Sequence, residues 1–512
     1  MALNDTNEMP RKSSPEMARI DPIVQDLINK AGELAEQRGV EVYAVGGYIR
    51  DRLLGLDFRD EIDFSVLGDG PAFARAFAKY LGKSGKVTIY KRFGTASFVR
   101  KDIRLEFATS RRESYREDSR NPDIEPAPFG EDMARRDFTI NAMAIDCRKP
   151  DEVIDPFNGR EDLEAGVLRT PLEPEQTFRD DPLRILRAVR FAARLDFGID
   201  RKTWDGMCAE VERLKIVARE RINDEFFKIL AENPPSRGLM LLHECGALRT
   251  IFPEIEELSG VDTVGRHAHK DNLLHTFLVV DKVAEKSDDV SLRFAALMHD
   301  IGKPPTKRFE PGHGWTFHGH EHVGERMVSR MGRGYQWPED LTQRTSKLVR
   351  LHMRPMNLQD EGVTDSAIRR LVVQAGEEID DLLTLCRADI TSGNDKKVRR
   401  YLNAFDGMVS RMDEIEAKDA LKAFQSPIRG EEIMERTGLP ESPQIGLIKT
   451  LIEEEILEGH ILNTREGAET VFDKIVKHVL TLERDEVLKH LRDLSKARAE
   501  GTALPDEGSR PT

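Results

Sequence analysis

The stretch Asp60-Glu61-Ile62-Asp63 opens an apolar run, EIDFSVL, that reads as a strand. Alternate strand residues point to one face, so Glu61 and Asp63 project together. Two carboxylates side by side repel unless a cation sits between them. Mg²⁺ suits the pair, because it takes oxygen ligands and keeps positions open for substrate phosphates. Ions held in this way can activate a 3′-hydroxyl and stabilise departing pyrophosphate. Glu106, on the strand IRLEFAT, offers a third carboxylate to the same site. Upstream, Gly46 and Gly47 join a strand to a helix, where backbone N–H groups can approach a triphosphate near the positive end of the helix dipole. Arg50 and Asp51 follow and, taken alone, read as an ion pair on the helix surface. Arg135 and Arg136 suit a triphosphate, since guanidinium groups bind phosphate oxygens bidentately. Taken alone, they and Asp137 read as a salt bridge at a helix start. Farther on, His299-Asp300 closes the apolar run LRFAALM, which puts polar and charged groups at a core edge, a costly place without a metal or partner.

The elements that must position these groups are legible from periodicity. GVEVYAV, EIDFSVL, KVTIY, ASFVR and IRLEFAT read as strands; YIRDRLLGL and PAFARAFAKYL read as helices. This predicts an α+β head with a mostly antiparallel sheet over residues 17–170, after a disordered tail at 1–16. Helical spacing dominates afterwards, giving an all-α neck and body at 171–262, an all-α histidine-rich domain at 263–400, and a helical tail domain at 401–512 with a flexible end. In the helix TFRDDPLRILRAVRFAARL, Arg184, Arg187, Arg190 and Arg194 fall within one arc, opposite Ile185, Leu186, Val189, Ala192 and Ala193. A stripe of like charge costs stability unless a polyanion binds or acidic residues from elsewhere face it.

With 512 residues, 39 % hydrophobic and 33 % charged, the chain has core material for several domains. No run of about 18 apolar residues predicts a membrane span, and the polar N-terminus lacks the apolar segment of a secretory signal. Cys147, Cys208, Cys245 and Cys386 form no CxxC pair, which points to a reducing cytoplasm. A net charge of −14 requires any RNA site to be a local basic surface.

VGGYIRDRLLG followed by EIDF, then RRDFTINAMAID, DPFNGREDL and RDDPLRILRAVRFAARL, resembles the class II CCA-adding enzyme and bacterial poly(A) polymerase family over most of residues 40–255. The resemblance implies Mg²⁺-dependent nucleotidyl transfer from CTP and ATP to tRNA, with Asp63 a metal ligand. The family's usual Asp-x-Asp appears with Glu61 in the first place. Either Glu61 substitutes, or a one-residue bulge brings Asp60 into position. The extra methylene of Glu moves its oxygens by roughly 1 Å, and misplacement of that size can cost about 100-fold in rate. The resemblance also implies that the Arg135–Asn141 motif contacts ribose and triphosphate, and that Asp181 and Arg184 read the incoming base. Three residues apart at a helix start, these two share a face. A carboxylate only accepts hydrogen bonds and a guanidinium only donates. Together they match the amine and bare ring nitrogen of cytosine and adenine, and mismatch uracil and guanine.

His275, His299-Asp300 and Asp389 resemble the HD phosphohydrolase signature, and His320 and His352 match its two-metal variant. This implies a divalent transition metal and hydrolysis of phosphomonoesters or 2′,3′-cyclic phosphodiesters. His318 and His322 are expected at the surface. The segment from IRGEEIMERTGLP to ILNTREGA resembles the tRNA-holding tail of CCA-adding enzymes with HD domains. Alternatives within the family are a poly(A) polymerase or an enzyme adding only CC or A. A further alternative is an HD metal phosphohydrolase whose head only binds RNA.

Overall fold

In the computed structural model, residues 21–500 are described, apart from 57–60, 83–86, 92–93, 117–118, 262, 265–266, 269–270, 359–362, 392–394 and 420–424. The tail expected at 1–16, the flexible end and Asp60 lie outside the described residues. The chain divides into two compact units, Met1–Pro253 and Glu254–Thr512. The boundary expected at 262 falls nine residues beyond that division.

The first unit opens with a helix that the strand–turn–helix reading from Val40 overlooks. In α1 (Pro22–Arg38), the Asp21 side chain accepts from the Ile23 N–H, Pro22 starts the first turn, and Gly39 closes the helix at φ 65°. Its buried Val24, Leu27, Ile28, Ala31, Leu34 and Ala35 follow helical spacing. Then come β1 (Glu41–Val45), α2 (Gly47–Leu53), β2 (Glu61–Leu67), α3 (Gly70–Tyr80), β3 (Thr88–Tyr90), β4 (Thr95–Arg100) and β5 (Ile103–Thr109). Next, β6 (Arg111–Arg116) and β7 (Ser119–Pro126) form a hairpin that the periodicity does not announce. The head ends with α4 (Phe129–Ala134), β8 (Ala144–Asp146), β9 (Val153–Ile154) and α5 (Gly159–Ala165). The seven-stranded sheet runs β3-β4-β5-β2-β1-β8-β9. All its pairs are antiparallel except β2 with β5. Alternation on β2 turns Ile62, Phe64 and Val66 to the core, where Phe64 stacks on Phe107 at 4.7 Å between ring centroids and Phe107 meets Phe73 and Phe77 of α3. Glu61, Asp63 and Ser65 therefore share the opposite face.

Beyond the head, α6 (Pro174–Asp180) and α7 (Leu183–Leu195) lead a helical body. The apolar face expected on α7 is buried at all five positions.

The second unit is helical apart from short two-residue and three-residue strands. Its histidine-rich part packs the helices Asn272–Ala284, Val290–Met298, His320–Tyr335, Glu339–Leu351 and Ile379–Asp389. The boundary expected at 400 falls inside one helix, Asp395–Asp419. The helices Gly430–Thr437, Pro443–Leu457, Arg465–Thr481 and Arg484–Glu500 then share a core that includes Ile433, Ile448, Phe472 and Val487. Buried Arg370 ties this tail to the helix Asp365–Ala375, donating from Nη2 to Glu454 at 2.6 Å and Glu458 at 2.7 Å. Among the described residues no helix is long and apolar enough to cross a membrane.

Candidate functional site

Parallel pairing of β2 with β5 sets Asp63 opposite Glu106. One oxygen each from Glu61, Asp63 and Glu106 lies within 4.8 Å of the others. No bulge interrupts β2 from Glu61 onward, so Glu61 occupies the position two before Asp63. Water reaches the Asp63 side chain, but protein encloses it enough that lost hydration pushes its carboxyl up to about 6. The charge of Glu61 adds to this, and Arg136 opposes it. Burial and Glu61 also raise Glu106. Such crowding of like charge is what a divalent cation relieves.

Gly46 stands at this carboxylate group with φ 76°, a conformation that favours glycine. A Cβ there would meet Arg136 Nη1 at 3.3 Å and Asp63 Oδ2 at 3.6 Å. Backbone, guanidinium and carboxylate therefore converge at one point. At seven residues, α2 is too short for its dipole to contribute much, so an anion placed there would meet N–H groups and Arg136 instead.

The Arg135–Asn141 motif begins at the end of α4, not at a helix start. The side chains of Arg135 and Arg136 are held by Asp132, which nothing in the sequence spacing singles out. Asp132 is buried; its Oδ2 accepts from Ser65 Oγ at 2.9 Å, and its Oδ1 accepts from Arg135 Nη2 at 2.6 Å. Arg136 Nη2 lies 3.6 Å away. Burial resists ionisation of Asp132, but the two arginines outweigh it and lower its pKa. Replacing Asp132 by Ala would remove the carboxylate that both guanidinium groups face, leaving Arg135 its bond to the Arg111 carbonyl. Breaking a buried pair costs about 3–5 kcal/mol, and the partial exposure of both arginines places the expected loss near the low end, about 3 kcal/mol. Urea unfolding of Asp132→Ala against the parent chain measures it.

Arg50 and Asp51 are buried, in contrast to the surface pair expected. Arg50 donates to Asp51 Oδ1 at 2.7 Å and to Asn141 Oδ1 at 2.7 Å; Asn141 donates to Asp137 Oδ1 at 3.0 Å. Asp137 Oδ2 accepts from Arg187 Nε at 2.9 Å and Nη2 at 2.5 Å. Burial opposes a charged Asp137, yet Arg187 and Asn141 hold its carboxyl far below the usual range. The arginine stripe on α7 is thus answered largely from within: Arg187 by Asp137, Arg190 by Glu225 at 2.8 Å, and Arg194 by Asp51 at 3.3 Å. Of the two explanations for that stripe, facing carboxylates account for these three residues.

Asp181 precedes α7, outside the helix, so a shared helical face does not join it to Arg184. Asp181 accepts from the Leu183 N–H at 3.2 Å and from Arg221 Nη2 at 3.2 Å. Arg184 is buried and donates to the carbonyls of Arg135 at 2.6 Å and Thr177 at 3.3 Å.

In the second unit all six expected ligands converge. His275, His299 and Asp389 form one group and Asp300, His320 and His352 another, each within 4.8 Å. Asp300 faces both: its Oδ2 lies 3.2 Å from His299 Nε2, and its Oδ1 lies 3.5 Å from His320 Nε2. Helix ends aim the rings. His299 and His352 follow the last turns of their helices, and their Nδ1 atoms lie 2.7 Å from the Ala296 and Val349 carbonyls. His320 Nδ1 lies 3.0 Å from the Phe317 carbonyl. A carbonyl only accepts, so each neutral ring carries its proton on Nδ1 and turns the Nε2 lone pair inward. His320 and His352 consequently set Nε2 against Nε2 at 3.2 Å, and buried His299 turns its Nε2 toward Asp300 Oδ2 at 3.2 Å and Asp389 Oδ1 at 3.6 Å. Burial disfavours a charged His299, yet Asp300 and Asp389 push it up to about 10. Burial and the neighbouring imidazoles push His352 down to about 4. Converging lone pairs and carboxylates that favour positive charge fit divalent metal ions.

Gly302 lets the helix bearing His320 approach, since a Cβ there would collide with the His320 carbonyl. Lys303, one turn after Asp300 and unremarked in the sequence, donates to Asp300 Oδ2 at 2.5 Å. Thr391 Oγ1 lies 3.0 Å from His275 Nδ1. His318 and His322 are exposed, as expected.

Comparison with known proteins gives three successive matches along the chain. A family model described as the poly A polymerase head domain matches residues 42–169, one described as a probable RNA and SrmB-binding site of polymerase A matches 196–258, and one for the HD domain matches 272–417. The multifunctional CCA protein of Laribacter hongkongensis is 35% identical over 392 residues, covering 71% of this chain and 90% of that protein. That of Methylococcus capsulatus is 36% identical over 368 residues, covering 68% and 81%. The Bacillus stearothermophilus CCA-adding enzyme in complex with CTP shares the fold at TM-score 0.62, 21% identical, covering 90% of this chain and 100% of that one. The Thermotoga maritima CCA-adding enzyme complexed with tRNA does so at TM-score 0.57, 24% identical, covering 89% and 97%.

Proposed function

The chain belongs to the family of the multifunctional CCA proteins, and on that premise we propose that it adds C, C and A from CTP and ATP to tRNA 3′ ends without a nucleic-acid template. The observation that carries this reading is the convergence of Glu61, Asp63 and Glu106 beside Gly46 and Arg136. Glu61 and Asp63, with Glu106 next to them, would hold Mg²⁺, which when bound favours attack by a 3′-hydroxyl and offsets charge on pyrophosphate. The tRNA 3′-oxygen forms a bond to the α-phosphorus, and the bond to pyrophosphate breaks. Gly46 and Gly47 give the triphosphate close access to backbone N–H groups, and Arg136 supplies a guanidinium for it. Arg135 and Asn141 complete the contacts to triphosphate and ribose. Arg50, Asp51, Asp137, Arg187 and Arg190 belong to the same nucleotide site by holding Asn141 and α7 in place.

Asp181 and Arg184 select the base. To do so Arg184 must exchange its bonds to the Arg135 and Thr177 carbonyls for a bond to the ring nitrogen, and Asp181 must accept from the amine. Cytosine and adenine satisfy both groups, whereas uracil and guanine leave them unpaired at about 1–3 kcal/mol each. Asp181→Ala is therefore expected to reduce discrimination against UTP about 10- to 100-fold. Single-nucleotide incorporation with CTP and with UTP reads the change as a ratio of kcat/KM values.

The second centre is proposed as a phosphohydrolase for phosphomonoesters or 2′,3′-cyclic phosphodiesters. His275, His299 and Asp389 would hold one divalent transition metal and Asp300, His320 and His352 another; a bound metal makes hydroxide available near neutral pH. We assign the head to residues 17–170, the neck and body to 171–262, the HD domain to 263–400 and the tail to 401–512, the last helping to hold tRNA. Substrate and free cysteines both suit the cytoplasm.

Purified protein with Mg²⁺, tRNA lacking its 3′ end, and each nucleoside triphosphate singly and together tests the reading. Ordered incorporation of C, C and A is expected. Long A tails would identify a poly(A) polymerase. No incorporation, with phosphate released from 3′-phosphate or cyclic ends, would leave a hydrolase with an RNA-binding head.

A further inference from the structure

The carboxylate that reads the incoming base is held from two helices. Asp181 lies before α7, which reaches one of its oxygens: Oδ1 accepts from the Leu183 N–H at 3.2 Å. Oδ2 accepts from Arg221 Nη2, also at 3.2 Å. The other two cations near Asp181 are engaged elsewhere. Arg184 donates to the Arg135 and Thr177 carbonyls, and Arg187 donates to Asp137. Among the described residues Arg221 is therefore the one cation paired with Asp181. Arg221 belongs to the helix Arg219–Leu230, which is anchored in the core by Ile222, Phe226 and Ile229. Four residues on, buried Glu225 of the same helix pairs with Arg190 of α7 at 2.8 Å. Residues i and i+4 share a helical face, so one face reaches both Asp181 and α7. Arg221 sits in the first turn, where the helix dipole disfavours a cation. Asp181 offsets that cost.

We propose that Arg221 is a positioning residue for base selection: it holds Asp181 Oδ2 so that the carboxylate stays aimed at the amine of cytosine or adenine. The proposal rests on the reading that Asp181 and Arg184 select the base. Each carboxylate oxygen has two lone pairs, so Asp181 keeps acceptor positions for the amine while both of its present bonds stand. Without Arg221 only the Leu183 N–H restrains the side chain, and the carboxylate is free to turn away from the amine. Uracil presents a carbonyl at that place and gains nothing from an aimed acceptor. Loss of Arg221 therefore falls on CTP and ATP and spares UTP. Arg221 is exposed, and an ion pair of this kind is worth about 3- to 5-fold.

The test uses the full chain with Mg²⁺ and tRNA lacking its 3′ end, and reads single-nucleotide incorporation from CTP and from UTP. Arg221→Met keeps the apolar stem and removes the charge. It should lower the ratio of kcat/KM for CTP to that for UTP by about 3- to 5-fold. The change should come through a higher KM for CTP, with kcat held. Arg221→Lys keeps a donor for Oδ2 and should restore most of the ratio. Both rates come from one preparation, so the folded fraction cancels. The same substitution placed in Asp181→Ala should change the ratio by no more than about 2-fold, because the side chain it positions is gone. Equal loss with CTP and UTP, as weaker tRNA binding or altered packing would give, overturns the positioning role. So does a full-sized change of the ratio in the Asp181→Ala background, which would place the action of Arg221 elsewhere. If Asp181→Ala alone leaves the ratio unchanged, the base-selection reading fails and the role of Arg221 with it.

Discussion

Asp63→Ala should lower nucleotide incorporation by about 1000-fold or more, since a cation at this position contributes several kcal/mol to the transition state. Three features make Asp63 the most sensitive position in the first unit. It is the central carboxylate of the group, flanked by Glu61 on its own strand and Glu106 on the neighbouring one. Its Oδ2 lies 3.6 Å from where a Cβ on Gly46 would stand, beside the turn proposed to take the triphosphate. Its raised pKa, about 6, marks a carboxylate whose charge is disfavoured first by lost hydration and then by Glu61, and which a cation would stabilise. The substitution should not unfold the chain, because it removes repulsion from a solvent-reached face. Hydrolysis by the second unit should persist. Incorporation measured on truncated tRNA, with phosphate release from a 3′-phosphorylated end assayed on the same preparation, separates the two effects.

The converse holds for Asp300→Ala, which should abolish phosphate release by a comparable factor of about 1000 and leave incorporation intact. Asp300 is buried and faces both ligand groups, so its removal takes an oxygen from each of them at once. It also removes the partner of Lys303 and the carboxylate that most raises His299. Asp300→Asn keeps the shape and one carbonyl oxygen. It should also lose hydrolysis, which distinguishes loss of charge from collapse of the helix ends. Loss of both activities in either the Asp63 or the Asp300 variant would contradict two independent centres in one chain.

Much of this was legible in the sequence because it is local. Period-two alternation puts Glu61 and Asp63 on one face, and β2 keeps that register. The apolar face of α7 follows from helical spacing. His320 separates from His318 and His322 because it begins a helix and is buried, while they remain exposed. The first helix was also within reach, since Asp21-Pro22 and Gly39 are start and stop signals in their proper places. What escaped depends on contacts between distant segments. The stripe of Arg187, Arg190 and Arg194 left a polyanion and facing acids both open, and only the fold brings Asp137, Glu225 and Asp51 to them from other elements. Nothing around Asp132 marks it as the hub beneath Arg135 and Arg136, because an acid next to Glu131 on a short helix looks like any solvated one. Arg50 and Asp51 are adjacent in sequence and read as a surface pair; burial by Asn141 and Arg194 makes them structural.

Diffraction from a crystal soaked with Mn²⁺ and CTP tests the central claim most directly. An anomalous peak coordinated by Glu61 and Asp63, with the triphosphate against Gly46, Gly47 and Arg136, is the result expected. Nucleotide bound elsewhere, with Asp63 making no contact to the ion, would contradict it.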